Sequence, residues 1–345
     1  MKSVTNLLLL LFVLLINNSC KKELQQNSFT GNVYIAGWYT GFSSTYSGYW
    51  KNGVHNTLPG VTQIDVVFVE GTDVYLAGIE FAGGNVFAKY WKNGVGTTLS
   101  NNGAYVDIKA IFVSGGDVYV CGKEPDNLQR FAIAKYWKNG VAVNLSNGST
   151  QVDANSIFVS GNDVYVAGAV FDNLGSYTAT YWKNGIPVSL GGTESYLYSI
   201  TVSGNDVYAA GVEKIGIKAY ARYWKNGVAT DLSDGQNPAA ISSIVVVGNT
   251  VYAVGAASKS SNGPTIARYW KNGIATDLSN GPTDHSAKSI FVYGNDVFIS
   301  VNEHLVLGPG NFSNVAKYWE NGQLKTLSLP PNSYASLAGS VFVTQ

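Results

Sequence analysis

A Tyr-Trp pair, followed by Lys or Glu and then Asn-Gly, recurs along the chain and constrains its fold more than any other feature. AKYWKNG occurs at 88–94 and 134–140, and ARYWKNG occurs at 221–227 and 267–273. Seven tryptophans close this pair: Trp50, Trp91, Trp137, Trp182, Trp224, Trp270 and Trp319. Neighbouring tryptophans lie between 41 residues (Trp50 to Trp91) and 49 residues (Trp270 to Trp319) apart. Periods of about 40–50 residues are typical of chains that stack copies of one small supersecondary unit.

One full repeat, residues 156–190, divides into four short segments. They read SIFVSG (156–161), DVYVAG (163–168), TYWKNG (180–185) and IPVSL (186–190). Each is rich in β-branched or aromatic residues and bounded by Gly or Asn, which is typical of a strand. Gly161-Asn162 and Asn184-Gly185 fit two-residue hairpins. The repeat therefore predicts four antiparallel strands joined by tight turns.

Seven such repeats predict an all-β chain folded as a seven-bladed β-propeller over residues 31–345. The chain begins with a second-type strand and ends with a first-type strand, at about 339–344. We expect this C-terminal strand to pair with the N-terminal strands in one blade, which would close the ring and remove its open edge. Within a strand, Tyr136 and Trp137 point to opposite faces, so the aromatic pair is predicted to fill the seams on both sides of a blade.

The order of an inner strand, a strand ending in Gly, a Tyr strand and a short outer strand resembles the Kelch-type propeller over residues 32–345. The likeness lies in the architecture, because the repeat has one Gly where Kelch units have two and places Tyr directly before Trp. A Kelch-type copper–radical oxidase is disfavoured, because Cys121 falls within a predicted strand.

The first 30 residues differ in composition from the repeats. Lys2 precedes the apolar run Leu7 to Ile16, which is too short to span a bilayer, and Ser19-Cys20 follows. Residues 1–19 resemble a bacterial lipoprotein signal peptide, which implies a lipidated Cys20 and a polar linker over 20–30. Cys20-Lys21-Lys22-Glu23 is similar to lipoproteins of the Bacteroidota. We therefore expect an exported protein whose membrane contact is a lipid anchor in the bacterial outer membrane, with the periplasmic or surface face left open.

Charge and cysteine content exclude several classes of protein. The formal net charge is zero and the chain has three arginines, so we expect no nucleic-acid partner. Cys121 has no partner in the mature chain, so no disulfide framework is expected. We expect a monomer.

The variable segments join second to third strands and fourth strands to the next blade, and all emerge on one face, which we call the loop face. Binding residues concentrate on such loops. The aromatic candidates are Trp38, Tyr39, Phe131, Tyr177, Tyr196, Tyr198 and Phe312. Acidic residues recur at one repeat position and are predicted to form a partial ring at the channel mouth: Glu80, Glu124, Glu213 and Glu303.

One pair of histidines and one pair of acidic residues predict a binding site for a divalent metal. A divalent metal is the only cofactor that we consider. A regular ladder around Gly294-Asn295 places His285 opposite His304, and one around Gly115-Gly116 places Asp107 opposite Glu124. Imidazole and carboxylate groups ligate metals. The alternative is that these side chains are solvated loop residues.

The sequence favours a non-catalytic, lipid-anchored binding module of the cell envelope that displays its loop face to a glycan or an envelope protein. It contains no nucleophile elbow, and we assign no catalytic residue. Two alternatives remain: a polysaccharide-processing hydrolase or lyase with its site on the loop face, and a structural subunit of an outer-envelope complex.

Overall fold

The computed structural model describes residues 29–42, 44–103, 106–125, 132–260, 263–308 and 311–345. Gly31–Gln345 forms one compact unit. Its described residues form seven four-stranded antiparallel sheets and contain no helix. Nowhere in these ranges is there a helix long and apolar enough to cross a membrane. The structure confirms the predicted all-β, seven-bladed propeller.

Each blade is written below from its innermost to its outermost strand. Blade 1 is β28 (Ser333–Thr344), β1 (Asn32–Gly41), β2 (Thr45–Lys51) and β3 (Val54–Thr57). Blade 2 is β4 (Gln63–Glu70), β5 (Asp73–Ala82), β6 (Asn85–Lys92) and β7 (Val95–Gly103). Blade 3 is β8 (Asp107–Ser114), β9 (Asp117–Pro125), β10 (Ala132–Lys138) and β11 (Val141–Asn144). Blade 4 is β12 (Val152–Ser160), β13 (Asp163–Phe171), β14 (Tyr177–Lys183) and β15 (Ile186–Thr193).

The last three blades follow the same order. Blade 5 is β16 (Ser195–Ser203), β17 (Asp206–Ile215), β18 (Lys218–Lys225) and β19 (Val228–Asp231). Blade 6 is β20 (Ala239–Val247), β21 (Thr250–Ser258), β22 (Thr265–Lys271) and β23 (Ile274–Asp277). Blade 7 is β24 (Asp284–Tyr293), β25 (Asp296–Gly308), β26 (Asn311–Glu320) and β27 (Gln323–Thr326).

The C-terminal strand closes blade 1, as predicted. β28 pairs antiparallel with β1, from Asn32 opposite Thr344 to Gly41 opposite Ser333. It is longer than the predicted 339–344, because the inner strand continues past an irregularity toward the loop face. Closure leaves neither edge of the ring unpaired at this junction.

The aromatic pair fills the seams between blades. Trp137 packs with Tyr75 and Ala77 of blade 2, whereas Tyr136 packs against the cluster shared with blade 4. Six of the seven tryptophans are at most 4% exposed. Aromatic side chains of this size contribute the largest apolar areas to a core, so each seam depends on one buried indole.

The recurring Lys-Asn-Gly stabilises the opposite face, which we call the hairpin face. In blade 4, Asn184 has φ 51° and its Oδ1 accepts the Val164 N–H at 2.8 Å, while its Nδ2 donates to Asp163 at 2.7 Å. Lys183 pairs with Asp163 at 2.8 Å and lies 5.4 Å from the Tyr165 ring centroid. Hydrogen bonds from Lys183 and Asn184 hold the pKa of Asp163 below its ordinary value. These contacts explain why the repeat conserves more than its apolar positions.

A β-bulge interrupts the inner strand of blades 2 to 7 near the loop face, and a matching irregularity occurs in blade 1. In blade 3 the extra residue is Lys109, between Ile108 and Ala110. A Cβ added to Gly122 on the facing strand would lie 2.0 Å from the Asp107 carbonyl oxygen, so a side chain there would displace the bulge. Bulges redirect side chains and often lie beside functional sites.

The bulges overturn two predicted pairings. His285 lies opposite Glu303, and His304 lies opposite Asp284. Asp107 lies opposite Lys123 and not opposite Glu124. The prediction assumed an uninterrupted ladder, and one inserted residue moves every later pair by one position and to the other face of the sheet.

Candidate functional site

The inner strands of all seven blades surround a central cavity of about 370 Å³. Its loop-face end is formed by the seven bulge positions, which we call the channel mouth: Asp65, Lys109, Asn155, Tyr198, Ser242, Lys288 and Gly339. Six different residue types occupy these seven equivalent positions. The mouth is therefore the place where otherwise similar repeats contribute different chemistry to one space.

Phenylalanines narrow the cavity toward the hairpin face. Five of them form a continuous chain of contacts from blade 7 to blade 4, with neighbouring ring centroids 4.6–5.1 Å apart: Phe291, Phe342, Phe68, Phe112 and Phe158. Thr201 and Val245 complete the lining in blades 5 and 6. The chemically varied end of the cavity is thus the loop-face end.

Serine hydroxyls tie neighbouring inner strands together directly beside the mouth. The Oγ of Ser199 accepts the Ile244 N–H at 3.1 Å, and the Oγ of Ser340 accepts the Val67 N–H at 2.7 Å. The same bond from one blade to the next occurs at Ser156, Ser243 and Ser289. An innermost strand has one unpaired edge, so these bonds satisfy amides that the channel would otherwise expose. They hold the mouth rigid without using its side chains.

The mouth combines one carboxylate with two ammonium groups. Asp65 accepts a hydrogen bond from the Gln63 side chain, and Lys109 pairs with Asp107 at 2.8 Å. Burial raises the pKa of Asp65 and lowers the pKa of Lys288, and each charge partly offsets the shift of the other. Lys288 has no hydrogen bond or ion pair to any described residue. The mouth therefore presents, at Lys288, a cation that none of the described residues neutralises by direct contact.

Three predicted ligand-binding tyrosines come together beside the mouth, and we call Tyr177, Tyr196 and Tyr198 the tyrosine cluster. The ring centroids of Tyr196 and Tyr198 are 4.8 Å apart, and those of Tyr177 and Tyr196 are 6.0 Å apart. Phe171 extends the cluster along blade 4. Tyr198 is 41% exposed and also lines the central cavity. The cluster therefore joins an aromatic surface to the polar mouth.

A buried carboxylate fixes the tyrosine cluster in position. The Tyr196 hydroxyl donates to Asp153 at 2.6 Å, and Lys123 pairs with the same carboxylate at 2.6 Å. Burial and this hydrogen bond raise the pKa of Tyr196, so its hydroxyl remains protonated. Asp153 is only 8% exposed, so we expect it to position Tyr196 and not to contact a ligand itself.

The four recurring glutamates do not form an open acidic ring. Each forms an ion pair with a cation on the third strand of its own blade: Glu80 with Lys89, Glu124 with Lys135, Glu213 with Arg222 and Glu303 with Lys317. Glu124 and Glu213 are buried. Side chains alternate between the two faces of a strand, so the glutamate and its cation lie diagonally opposite on the same face of one blade. Their charges therefore stabilise individual blades.

The predicted metal ligands also remain apart. His285 Nε2 lies 3.7 Å from Glu303, whereas His304 contacts Asn314 at 2.5 Å and Ser286 at 3.3 Å on the other face of blade 7. Asp107 and Glu124 belong to blade 3. No group of three or more His, Cys, Asp or Glu side chains suited to a metal occurs in the described part of the chain.

The remaining predicted aromatic residues have other surroundings. Tyr39 is buried and stacks on Tyr46 with centroids 5.0 Å apart, and Trp38 is half-buried. Cys20, Phe131 and the Phe312 side chain lie outside the described residues, so their predictions stay predictions.

Sequence reasoning missed most of the mouth, including Asp65, Lys109 and Lys288. A signal was present, because these residues occupy one repeat position at which the copies disagree. The glycine in the facing strand gave a second signal, since an interior strand glycine often marks a bulge.

No protein-family model and no curated protein matches the sequence. Among solved structures, the chain resembles the uncomplexed acylaminoacyl peptidase of Pyrococcus horikoshii, with 11% identity and a TM-score of 0.52 over 86% of this chain and 50% of that one. It also resembles the β-propeller domain of the Trilobed protease from Pyrococcus furiosus, with 7% identity and a TM-score of 0.50 over 88% of each chain. The chain thus spans half the length of the acylaminoacyl peptidase.

These likenesses show the propeller fold alone. The Trilobed protease domain is described as having an open velcro topology. Here β28 pairs with β1, so the chain ends meet in a closed blade. The fold and the site together define a seven-bladed β-propeller with a central cavity whose loop-face end carries its varied polar residues.

Proposed function

We propose that this protein is a non-catalytic binding module that holds a glycan at the channel mouth and the adjoining tyrosine cluster. The observation that carries the proposal is the set of seven bulge positions, at which similar blades place six different residue types around one cavity. Convergent, chemically different polar groups beside an aromatic surface are typical of small-ligand sites.

Each part of this surface suits a hydroxyl-rich, ring-shaped ligand. The exposed Tyr198 ring offers an apolar face for stacking, while Tyr196 is held behind it by Asp153. The Asp65 carboxylate can accept hydrogen bonds from ligand hydroxyl groups, and the Ser242 hydroxyl can donate hydrogen bonds to them or accept from them. Lys288 adds a donor that no described residue occupies.

The charges at the mouth favour binding over glycoside hydrolysis. Such hydrolysis generally uses two carboxyl groups that flank the scissile bond. Among the described residues lining the cavity, Asp65 is the only carboxylic acid. The hydrolase or lyase alternative predicts depolymerised product, so the same sample should be checked for cleavage of any polysaccharide it binds.

The peptidase likenesses suggest a second enzymatic alternative that the fold does not decide, because one propeller architecture serves unrelated functions.

The structural-subunit alternative needs one contiguous apolar patch. The exposed apolar residues instead belong to different blades. Six begin the outer strands of blades 1 to 6, one per blade: Val54, Val95, Val141, Ile186, Val228 and Ile274. Others lie near the tips between second and third strands of blades 1, 2, 4, 5 and 7, including Phe42, Phe81, Leu174, Ile217 and Leu307. Equivalent positions in a ring are spread around its rim, which favours a single ligand site over a docking patch.

The proposed module is monomeric, Kelch-like in its blade order and attached to the outer membrane through Cys20. Replacing Cys20 by Ser should move the protein from the membrane fraction to the soluble fraction. Unchanged membrane association of Cys20→Ser would contradict the lipid anchor.

A glycan and polysaccharide binding screen tests the function, run with and without EDTA. For a ligand that binds, Tyr198→Ala should weaken affinity about fivefold, because aromatic contacts of this kind contribute about 1 kcal/mol. The control is Ile186→Ala, an exposed residue on the hairpin face. Equal losses for both variants, or no glycan ligand at all, would refute the proposed site, and EDTA-sensitive binding would indicate a metal-assisted one.

A further inference from the structure

A second cavity, of about 600 Å³, lies between blades 5 and 6 on the loop face, and we call it the 5–6 cleft. Blade 5 contributes Asp231, Leu232, Ser233, Asp234 and Asn237, and the first inner-strand residue of blade 6 is Ala239. The other lining residues come from β21 to β22: Ala257, Ser258, Lys259 and Arg268. The lining is largely polar and carries two cations, Lys259 and Arg268, and two carboxylates, Asp231 and Asp234. Asp231 is paired with Arg222 of blade 5.

Blade 5 shows how this arginine position is normally neutralised. Arg222 Nε donates to Asp231 at 2.5 Å, and its Nη1 donates to Glu213. Glu213 also accepts the Gly192 N–H from blade 4 at 2.6 Å. One guanidinium group thus binds two carboxylates, one from the outer strand and one from the second strand.

Blade 6 keeps half of this arrangement. Arg268 Nε donates to Asp277 at 2.8 Å, which repeats the outer-strand contact. The position of Glu213 is taken by Ala257, as the pairing of Ala239 with Ala257 and of Ser195 with Glu213 shows. The described residues provide no second carboxylate for the terminal nitrogens of Arg268.

The other blades make this combination distinctive. Where the glutamate is present, the third strand carries Lys or Arg. Blades 1 and 4 lack the glutamate, and there the cation is also replaced, by Gly48 and Thr180. Blade 6 alone retains the cation without the glutamate and has a cavity beside it.

We infer that the 5–6 cleft binds the carboxylate of an acidic sugar, a uronic acid, in the place that a glutamate carboxylate occupies in blade 5. Arg268 provides planar donors suited to a carboxylate. Lys259, which pairs with Asp277 at 3.2 Å, adds a second positive charge. Asn237 and Ser258 provide partners for the sugar hydroxyls. This site is separate from the channel mouth and does not depend on the function proposed there.

The repeat itself supplies the decisive variant, Ala257→Glu. This change restores the residue found in blade 5, so the protein should supply its own carboxylate to Arg268 and fill the cleft. Binding of D-glucuronate, measured by isothermal titration calorimetry with D-glucose as the neutral control, should weaken at least about tenfold, because hydrogen bonds to charged groups contribute about 1.5–3 kcal/mol. Circular dichroism and the melting temperature should show that the variant remains folded.

A second variant keeps the test independent of that substitution. Arg268→Gln should weaken D-glucuronate binding by a similar factor, whereas Ile186→Ala on the hairpin face should leave it unchanged. Wild-type binding of D-glucuronate that exceeds binding of D-glucose, and its loss in both cleft variants, is the expected result. Equal binding of both sugars, no measurable binding up to millimolar concentrations, or full binding by Ala257→Glu would each overturn the inference.

Discussion

The hairpin face and the channel mouth belong to the same seven blades and follow opposite rules. On the hairpin face of blades 2 to 5, the Asn amide lies 2.6–2.7 Å from the Asp carboxylate and the Lys ammonium lies 2.7–2.8 Å from it in every copy. At the mouth, six residue types occupy seven equivalent positions. Repetition therefore marks what the fold requires, and disagreement between copies marks residues that the fold leaves free.

The largest expected effect is at a seam. Trp182 is 1% exposed and packs between blades 3 and 4, so Trp182→Ala should lower the free energy of unfolding by about 3–5 kcal/mol. The urea midpoint measures this change. A loss below about 1 kcal/mol would contradict the view that each seam depends on its indole.

Gly122→Ala tests how much the bulge of blade 3 contributes to the stability of the protein. The new Cβ would meet the Asp107 carbonyl oxygen, so we expect a loss of about 3 kcal/mol and a displaced Lys109. Thermal unfolding and a crystal structure of the variant measure the two effects. Blade 7 has its bulge with Val301 at the equivalent position, so the strand spacing there already accommodates a Cβ, and Val301→Ala is a control that should leave that bulge in place.

His55 is an exception among the outer strands near the hairpin face, and its surroundings predict that the stability of the protein depends on pH. Its ring lies between Tyr39 and Trp50, its Nε2 is buried without a partner, and burial lowers its pKa from 6.5 to about 4. Between those values the unfolded chain binds a proton that the folded protein does not. The contribution of neutral His55 to the free energy of unfolding is therefore fully present above pH 6.5 and is lost as the pH falls toward 4. The expected loss is about 2 kcal/mol after allowance for the partial exposure of the ring to solvent.

The matched variant is His55→Ala, because the equivalent residue facing the tryptophan is Ala142 in blade 3 and Ala229 in blade 5. Urea midpoints measured across this pH range should fall in the wild type and change much less in His55→Ala. Parallel curves for the two proteins would assign the pH dependence to other groups.

The smallest expected effect on stability is at the mouth. Tyr198→Ala, Lys288→Ala and Ser242→Ala should each change the free energy of unfolding by no more than about 1 kcal/mol, and Tyr198→Ala the most, because it loses the ring contact with Tyr196. Asn155→Ala is the informative exception, since its amide donates to the Leu197 carbonyl at 2.8 Å. A large loss from the first three would mean that the mouth is structural.

Most of the fold could be predicted from the sequence because its signals are local and repeated. Each Asn-Gly defines a hairpin, and each Tyr-Trp defines both faces of a strand. The bulges were missed because the inserted residue follows no fixed pattern, and their available signal lay in the glycine of the facing strand. Missing them placed His285 opposite His304 and left Asp65 and Lys288 out of the predicted residues, whereas Tyr177, Tyr196 and Tyr198 of the candidate site were predicted from their loop positions.

The pairing of β28 with β1 has a consequence for the time course of folding. During synthesis β1 emerges early, but the strand that covers its inner edge emerges last. Blades 2 to 7 can assemble in sequence before β28 is made, while blade 1 waits until then as a three-stranded fragment with an open edge. Ring closure over so long a sequence separation should be the slowest step, and the interval before it is when the nascent protein is most exposed to mispairing.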